Sequence, residues 1–127
     1  MRTSSTTVLA AVFLAATTLL PGAASAAHAA GPPPLGACAT GQLCFWAKPD
    51  FKGTKQIHEL TDLTTNDCVS LPPGKSAQAL ANRTGRPVTT YQSAECIETG
   101  EFQTYPGDGT WLPQSPYQVR AFKVWER

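Results

Sequence analysis

The chain has 127 residues, 9% of them aromatic, enough for one small domain and too few for two. Hydrophobic residues at 42% against 15% charged exclude a disordered, charged tail protein. A formal net charge of +1 argues against a nucleic-acid partner, whose phosphates need a strongly basic face.

From the N-terminus, residues 1–26 read as a secretory signal peptide. Arg2 supplies the positive end, Val8 to Leu20 the apolar stretch, Pro21-Gly22 a break, and Ala24-Ser25-Ala26 a small-residue cleavage site. Ala27-His28-Ala29 is a second candidate for cleavage. The stretch has no amphipathic stripe and falls short of the run of about 18 apolar residues that spans a bilayer. A lone Arg does not make a twin-Arg signal. Loss of Arg2 leaves nine basic and nine acidic residues, a near-neutral mature chain expected to bind no membrane. Residues 27–37, which include Gly31-Pro32-Pro33-Pro34, read as a flexible, extended Pro-rich segment before a domain at 38–127.

Export changes how Cys38, Cys44, Cys68 and Cys96 read. An even number of cysteines in an oxidising compartment points to two disulfides, with three possible connectivities. Zinc is the rival, but no C-x-x-C pair occurs and His58 is the one histidine of the domain at 38–127, so no metal is expected. Proximity in sequence favours Cys38 with Cys44, which leaves Cys68 with Cys96.

Eleven Pro and ten Gly imply many turns and short strands. Strands are predicted at Gln42–Ala47, Thr54–Leu60, Ser76–Asn82, Pro87–Gln92, Glu101–Tyr105 and Gln118–Trp125. Turn clusters separate them at Lys48–Asp50, Leu71–Gly74, Arg83–Arg86, Pro106–Gly109 and Pro113–Pro116, and Thr61–Val69 suits one irregular turn. The pattern is that of an all-β sandwich. It also repeats. Phe45-Trp46, a turn, Phe51-Lys52-Gly53 and a strand in the first half match Tyr91, a turn, Ile97 to Gly100 and a strand in the second. Ala77 and Ala79 close one half, Val119 and Ala121 the other. Gly53 and Gly100 are expected to adopt a backbone conformation that a β-carbon hinders.

No catalytic constellation is visible, so no enzyme is expected. His58 is the single candidate base, and alternation places it on a solvent-facing strand position. His58-Glu59 does not extend to H-E-x-x-H. Glu95 and Glu98 read as a solvated face. Asn82-Arg83-Thr84 matches a glycosylation sequon, although an Asn- and Gly-rich corner explains it without modification. Trp46, Trp111 and Trp125 read as packing residues, with a sugar-stacking platform as the other possibility.

The strings CFWAKPDFKG (44–53), LPPGKSAQALANRTGRPVTTY (71–91) and YQVRAFKVWE (117–126) together resemble the βγ-crystallin double Greek key. More narrowly, they resemble the secreted actinomycete proteins of peptidase inhibitor family I36, the metalloproteinase-inhibitor family. The resemblance implies a disulfide-stapled sandwich of two Greek keys. It implies an extracellular peptidase partner, a thermolysin-type metallopeptidase, bound by a substrate-like loop of a monomeric chain. Calcium, bound by some crystallin relatives, is not expected, because Pro72 and Pro73 stand where two acidic ligands would be, beside Lys75. No cofactor is expected.

In the resembling family the reactive bond follows a cysteine and precedes an apolar residue. That assigns the reactive-site loop to Glu95, Cys96, Ile97 and Glu98, with Cys96–Ile97 as the substrate-like bond. Such a loop is expected to be exposed, extended and rigid, so that binding costs little ordering entropy. The family's pattern closes this loop with a second nearby cysteine, and none follows Cys96 here. The other reading is a non-inhibitory secreted binding module, directed at cell-wall glycan or acting as an antimicrobial toxin. Exposure discriminates: a protruding Ile97 favours inhibition, a flat open patch of Trp111 and Tyr105 favours glycan.

Overall fold

The computed structural model describes residues 34–127, so the predicted signal peptide lies outside the described residues. Those residues form β1 (Gln42–Lys48), β2 (Lys52–Glu59), β3 (Val69–Ser70), β4 (Ala79–Asn82), β5 (Val88–Tyr91), β6 (Phe102–Tyr105), β7 (Thr110–Leu112) and β8 (Ala121–Val124). They make two antiparallel sheets of four strands, ordered β2-β1-β4-β7 and β3-β8-β5-β6. A short 3-10 turn at Leu60–Asp62 follows β2. All six predicted strands are present with shifted ends. The two that local pattern missed, β3 and β7, are two and three residues long. Neither is long enough for an alternation to show, and each pairs with a strand of the opposite half, β8 and β4 respectively.

That exchange makes the two halves interdependent. Ala77 and Val119, equivalent positions in the repeat, donate to each other's carbonyls at 2.9 and 2.8 Å. Around this bridge the bonds recur in pairs. Gln78 N–H donates to Trp46 as Arg120 N–H does to Tyr91, and Ser115 N–H donates to Gln78 as Leu71 N–H does to Arg120. The core between the sheets draws on both halves: Leu43, Phe45, Leu80, Val88, Phe122 and Val124 are each no more than 1% exposed.

The aromatic-to-glycine corner of β1 and β2 is built by backbone strain and ring contact together. Asp50 and Phe51 both have φ of 59°, and Gly53 has φ of 80°. The positive φ favours glycine at 53, and a β-carbon there would also crowd Lys48 Cγ at 3.1 Å. The Phe51 ring meets Trp46 edge-on at 5.1 Å. The second half does not copy this. Gly100 lies outside the positive-φ region, and a β-carbon there would meet nothing closer than 3.5 Å, contrary to expectation. The physical reason is loop length: residues Gln92–Glu101 bridge β5 and β6, so no tight corner is forced there.

His58 corrects a second expectation. Pairing with β1 sets Leu43 opposite His58 and Cys44 opposite Ile57. His58 therefore joins Leu43 and Phe45 on the inner face, while Ile57 is turned outward and 49% exposed. The imidazole sits edge-on to Phe45 at 5.9 Å and to Phe122 at 4.9 Å, and its buried Nε2 has no partner among the described residues. Desolvation lowers its pKa below the ordinary 6.5. The sequon is likewise decided by packing. Asn82 is wholly buried, its Nδ2 donating to the carbonyls of Arg86 at 2.8 Å and Pro106 at 3.1 Å. Its Oδ1 accepts from Thr84 N–H at 3.1 Å and Thr84 Oγ1 at 2.7 Å. The amide ties the end of β4 to two turns and is not presented for glycan attachment.

Two outcomes are expected. Because folding keeps His58 neutral, its contribution is whole above about pH 6.5. It is lost as falling pH protonates the unfolded chain first. Urea unfolding at pH 7.5 and 5.5 is therefore expected to show His58→Leu gaining on the parent at the lower pH. Asn82→Leu strands several carbonyls in the interior and is expected to cost about 2–4 kcal/mol, read as a lower urea midpoint at unchanged slope.

Candidate functional site

Each sheet has an outer face that is apolar at its centre. On the sheet of β1 it comprises Cys44, Trp46, Ala79 and Ala81, all no more than 5% exposed. The chain before β1 covers it. Cys38 is bonded to Cys44, the Gly36 carbonyl accepts from Trp111 Nε1 at 2.9 Å, and the Ala37 carbonyl accepts from Lys55 Nζ. Gly36 passes so close to Trp46 that a β-carbon would lie 2.5 Å from its ring. Within the segment 27–37 expected to be flexible, Gly36 and Ala37 are thus fastened to the sheet.

On the sheet of β5 the equivalent cluster is Tyr91, Cys96 and Ala121, and the cover is the loop Gln92–Glu101. Four anchors hold it. Gln92 N–H donates to the Glu101 carbonyl at 2.9 Å and closes the base. Arg120 Nη1 donates to the Gln92 carbonyl at 3.2 Å. Ser70 Oγ donates to the Ala94 carbonyl at 2.5 Å. The Cys68–Cys96 disulfide ties the loop to the residue just before β3.

Within the loop, Glu95 N–H donates to Ser93 Oγ at 3.1 Å and Cys96 N–H to the Ser93 carbonyl at 3.3 Å. These bonds make a turn and carry Cys96 into the left-handed region at φ 58°. The expected extended segment is therefore corrected: the chain turns at Cys96. The reason is that its sulfur is drawn down onto Tyr91 and Ala121 while the chain must rise again. The turn separates neighbours sharply, with Cys96 9% exposed and Ile97 49% exposed. Glu95 and Glu98 are both exposed. Glu98 lies close enough to affect Tyr91, whose phenol pKa is raised above 10 by burial first and by that carboxylate second.

The structure thus brings Glu95, Cys96, Ile97 and Glu98 together on one anchored loop, and places Cys38–Cys44 on the other sheet's cover. Ser70 and Arg120 are the supporting residues that sequence reading missed. The one local signal was that Ser70 stands two residues after Cys68, on the same side of the chain. Among the described residues, Trp111 and Tyr105 form no flat, open patch. Tyr105 is 6% exposed and Trp46 5%. Arg83 lies 5.2 Å over the Trp111 ring. Trp125 Nε1 donates to Thr89 Oγ1 at 2.8 Å, with Lys123 Nζ 5.5 Å from its ring. Among the described residues no group of three or more His, Cys, Asp or Glu is placed to hold a metal. No helix among them is long and apolar enough to cross a membrane.

A family model described as Peptidase inhibitor family I36 matches residues 31–105, a span that includes both disulfides and the whole of the anchored loop. No curated protein and no solved structure matches the chain.

The bridges differ in what they close: Cys68–Cys96 spans 28 positions and Cys38–Cys44 only 6. In the chain-entropy view the first is worth about 3–4 kcal/mol and the second about 2–2.5 kcal/mol. The double variant Cys68→Ala, Cys96→Ala is therefore expected to lose more stability in urea than Cys38→Ala, Cys44→Ala. It is also expected to become susceptible to proteolytic nicking between Ser93 and Gly100.

Proposed function

The chain belongs to peptidase inhibitor family I36, and on that premise we propose that it inhibits a secreted thermolysin-type metallopeptidase through the loop Glu95–Glu98. The observation that carries this reading is the contrast at one peptide bond. Cys96 is buried and covalently held, and the next residue, Ile97, is the most exposed large apolar side chain of the loop. An isolated apolar side chain on a rigid support loses little entropy on entering a pocket. Ile97 suits the apolar subsite that such peptidases offer just beyond the scissile bond.

The same geometry accounts for inhibition in place of digestion. Hydrolysis of Cys96–Ile97 requires the peptide to align with the peptidase's catalytic groups, and a near-attack geometry tolerates little misplacement. The left-handed conformation of Cys96, held by the turn to Ser93 and by Cys68, resists that alignment. Were the bond cut, the disulfide on one side and β6 on the other would keep both ends in place for resealing. The peptidase holds a substrate that it neither processes nor releases readily. Nothing in this mechanism asks for a catalytic group, metal or cofactor on the inhibitor.

Two further features belong to the same proposal. The exchange of the third strand of each half into the other half's sheet, with the aromatic-to-glycine corner at Trp46–Gly53, supports a double Greek key of the βγ-crystallin type. Two disulfides suit an oxidising compartment, in keeping with secretion as a monomer of a chain whose first 26 residues are removed.

Inhibition constants against a thermolysin-type metallopeptidase test the assignment. Ile97→Ala is expected to weaken inhibition by about 1–3 kcal/mol while leaving the near-UV circular dichroism unchanged. Ile97→Glu is expected to lose more, since binding would desolvate an unpartnered charge. Trp111→Phe, which alters the other sheet's cover, is expected to inhibit as the parent does. A folded Ile97→Glu protein with undiminished inhibition would remove the loop from the mechanism.

A further inference from the structure

Beside the anchored loop lies a cleft of about 300 Å³. Its walls are Ala94 of the loop on one side and the turn Leu71–Ser76 on the other, with Arg120 among the residues lining it. The turn leads directly out of β3, the strand whose Ser70 and preceding Cys68 hold the loop down. The cleft is therefore rigidly placed with respect to Cys96–Ile97. It adjoins the residues that precede that bond.

The cleft is positive. Lys75 and Arg120 line it, and none of the lining residues is acidic. Glu95, the nearest carboxylate along the loop, is not among them. Arg120 donates through Nη1 to the Gln92 carbonyl at 3.2 Å and through Nη2 to Gln118 Oε1 at 3.3 Å. A guanidinium carries five N–H donors, so donors remain for a ligand. The Lys75 side chain is exposed. The turn that carries it is preorganised: Lys75 N–H donates to the Pro72 carbonyl at 2.9 Å, Gly74 has φ of 77°, and Pro72-Pro73 fix two backbone angles. Little ordering is needed on binding.

We propose that this cleft is a second docking site for the inhibited peptidase, receiving an aspartate or glutamate side chain from a surface loop beside the peptidase's catalytic cleft. The occupant follows from charge complementarity and from continuity with the loop. A carboxylate between Lys75 and Arg120 forms charge-assisted hydrogen bonds to both, and no competing acid lines the site. The proposal rests on the loop reading above. It adds that selectivity among peptidases follows the charge of this loop as well as the subsite that takes Ile97. Because the contact lies at the rim, its main effect is on encounter: it raises the association rate and makes that rate sensitive to salt.

Stopped-flow association with a thermolysin-type metallopeptidase at low and high salt tests this, using the parent chain, Lys75→Glu, Lys75→Ala, Lys52→Glu and Ile97→Glu. Lys52 is exposed at the start of β2, on the other sheet, and serves as the charge control. Lys75→Glu is expected to slow association about tenfold at low salt and to flatten the salt dependence, with Lys75→Ala between it and the parent. Lys52→Glu is expected to match the parent. Reversing the partner carboxylate on the peptidase to lysine is expected to restore the rate for Lys75→Glu. Equal rates and equal salt slopes for Lys75→Glu and Lys52→Glu overturn the docking site. If Ile97→Glu alone weakens inhibition, the loop reading survives and the cleft falls. If Ile97→Glu binds as the parent does, the loop reading falls, and the cleft with it.

Discussion

Each sheet is apolar at the centre of both faces, and most of what lies outside the strands answers to that. β1 buries Leu43 and Phe45 inward and Cys44 and Trp46 outward; β5 buries Val88 and Thr90 inward and Thr89 and Tyr91 outward. A two-sheet sandwich covers only the inner set. The outer set needs a second layer, and the described residues hold no α-helix or third sheet to supply one. Irregular chain does it instead, residues 36–38 over one sheet and residues 92–101 over the other. Irregular chain has no ladder of backbone bonds to hold it down, and each cover carries one cysteine of a disulfide.

In the proposed inhibition, that arrangement ties function to stability. The loop whose Cys96 seals Tyr91 and Ala121 from water is the one that exposes Ile97. A freely moving loop would leave Tyr91 wet and would pay an entropic penalty on binding a peptidase. Fastening it down solves both problems with the same bonds. The left-handed backbone at Cys96 is where the two demands meet: the sulfur points into the protein and the next side chain points out. Backbone strain of this kind persists only where surrounding contacts over-determine it, and Cys68, Ser70 and Ser93 are those contacts here.

The exchanged strands add cooperativity. β3 belongs in sequence to the first half but completes the second half's sheet, and β7 does the reverse. Neither half has a complete sheet without the other, so local opening of one exposes the other's edge. The reciprocal Ala77–Val119 bridge sits at this crossing, and both residues are no more than 1% exposed. The chain between Cys68 and Leu71 then has three tasks: it edges a sheet, anchors the loop, and leads into the wall of the positive cleft.

Alternation and turn residues were sufficient to locate six strands and to class the molecule as all-β, because those strands are long enough for a two-residue period to show. Cysteine number and spacing were sufficient to expect two bridges. The strings at 44–53, 71–91 and 117–126 suggested the family, and that family's reactive-bond pattern, carried onto Cys96-Ile97, suggested a loop. Side-chain direction was not legible. His58 read as solvent-facing because its neighbours Ile57 and Glu59 do not reveal which face of β2 is buried; the register with β1 decides that. Gly100 read as a strained corner because residue type carries no information on loop length or the path of the chain. Two- and three-residue strands such as β3 and β7 exist only through their partners on the opposite half. Local chemistry sets which residues are apolar, reactive or turn-forming. Which of them face inward, and which stand exposed beside a positive cleft, depends on pairings between residues distant in sequence, and these form only when the whole chain folds.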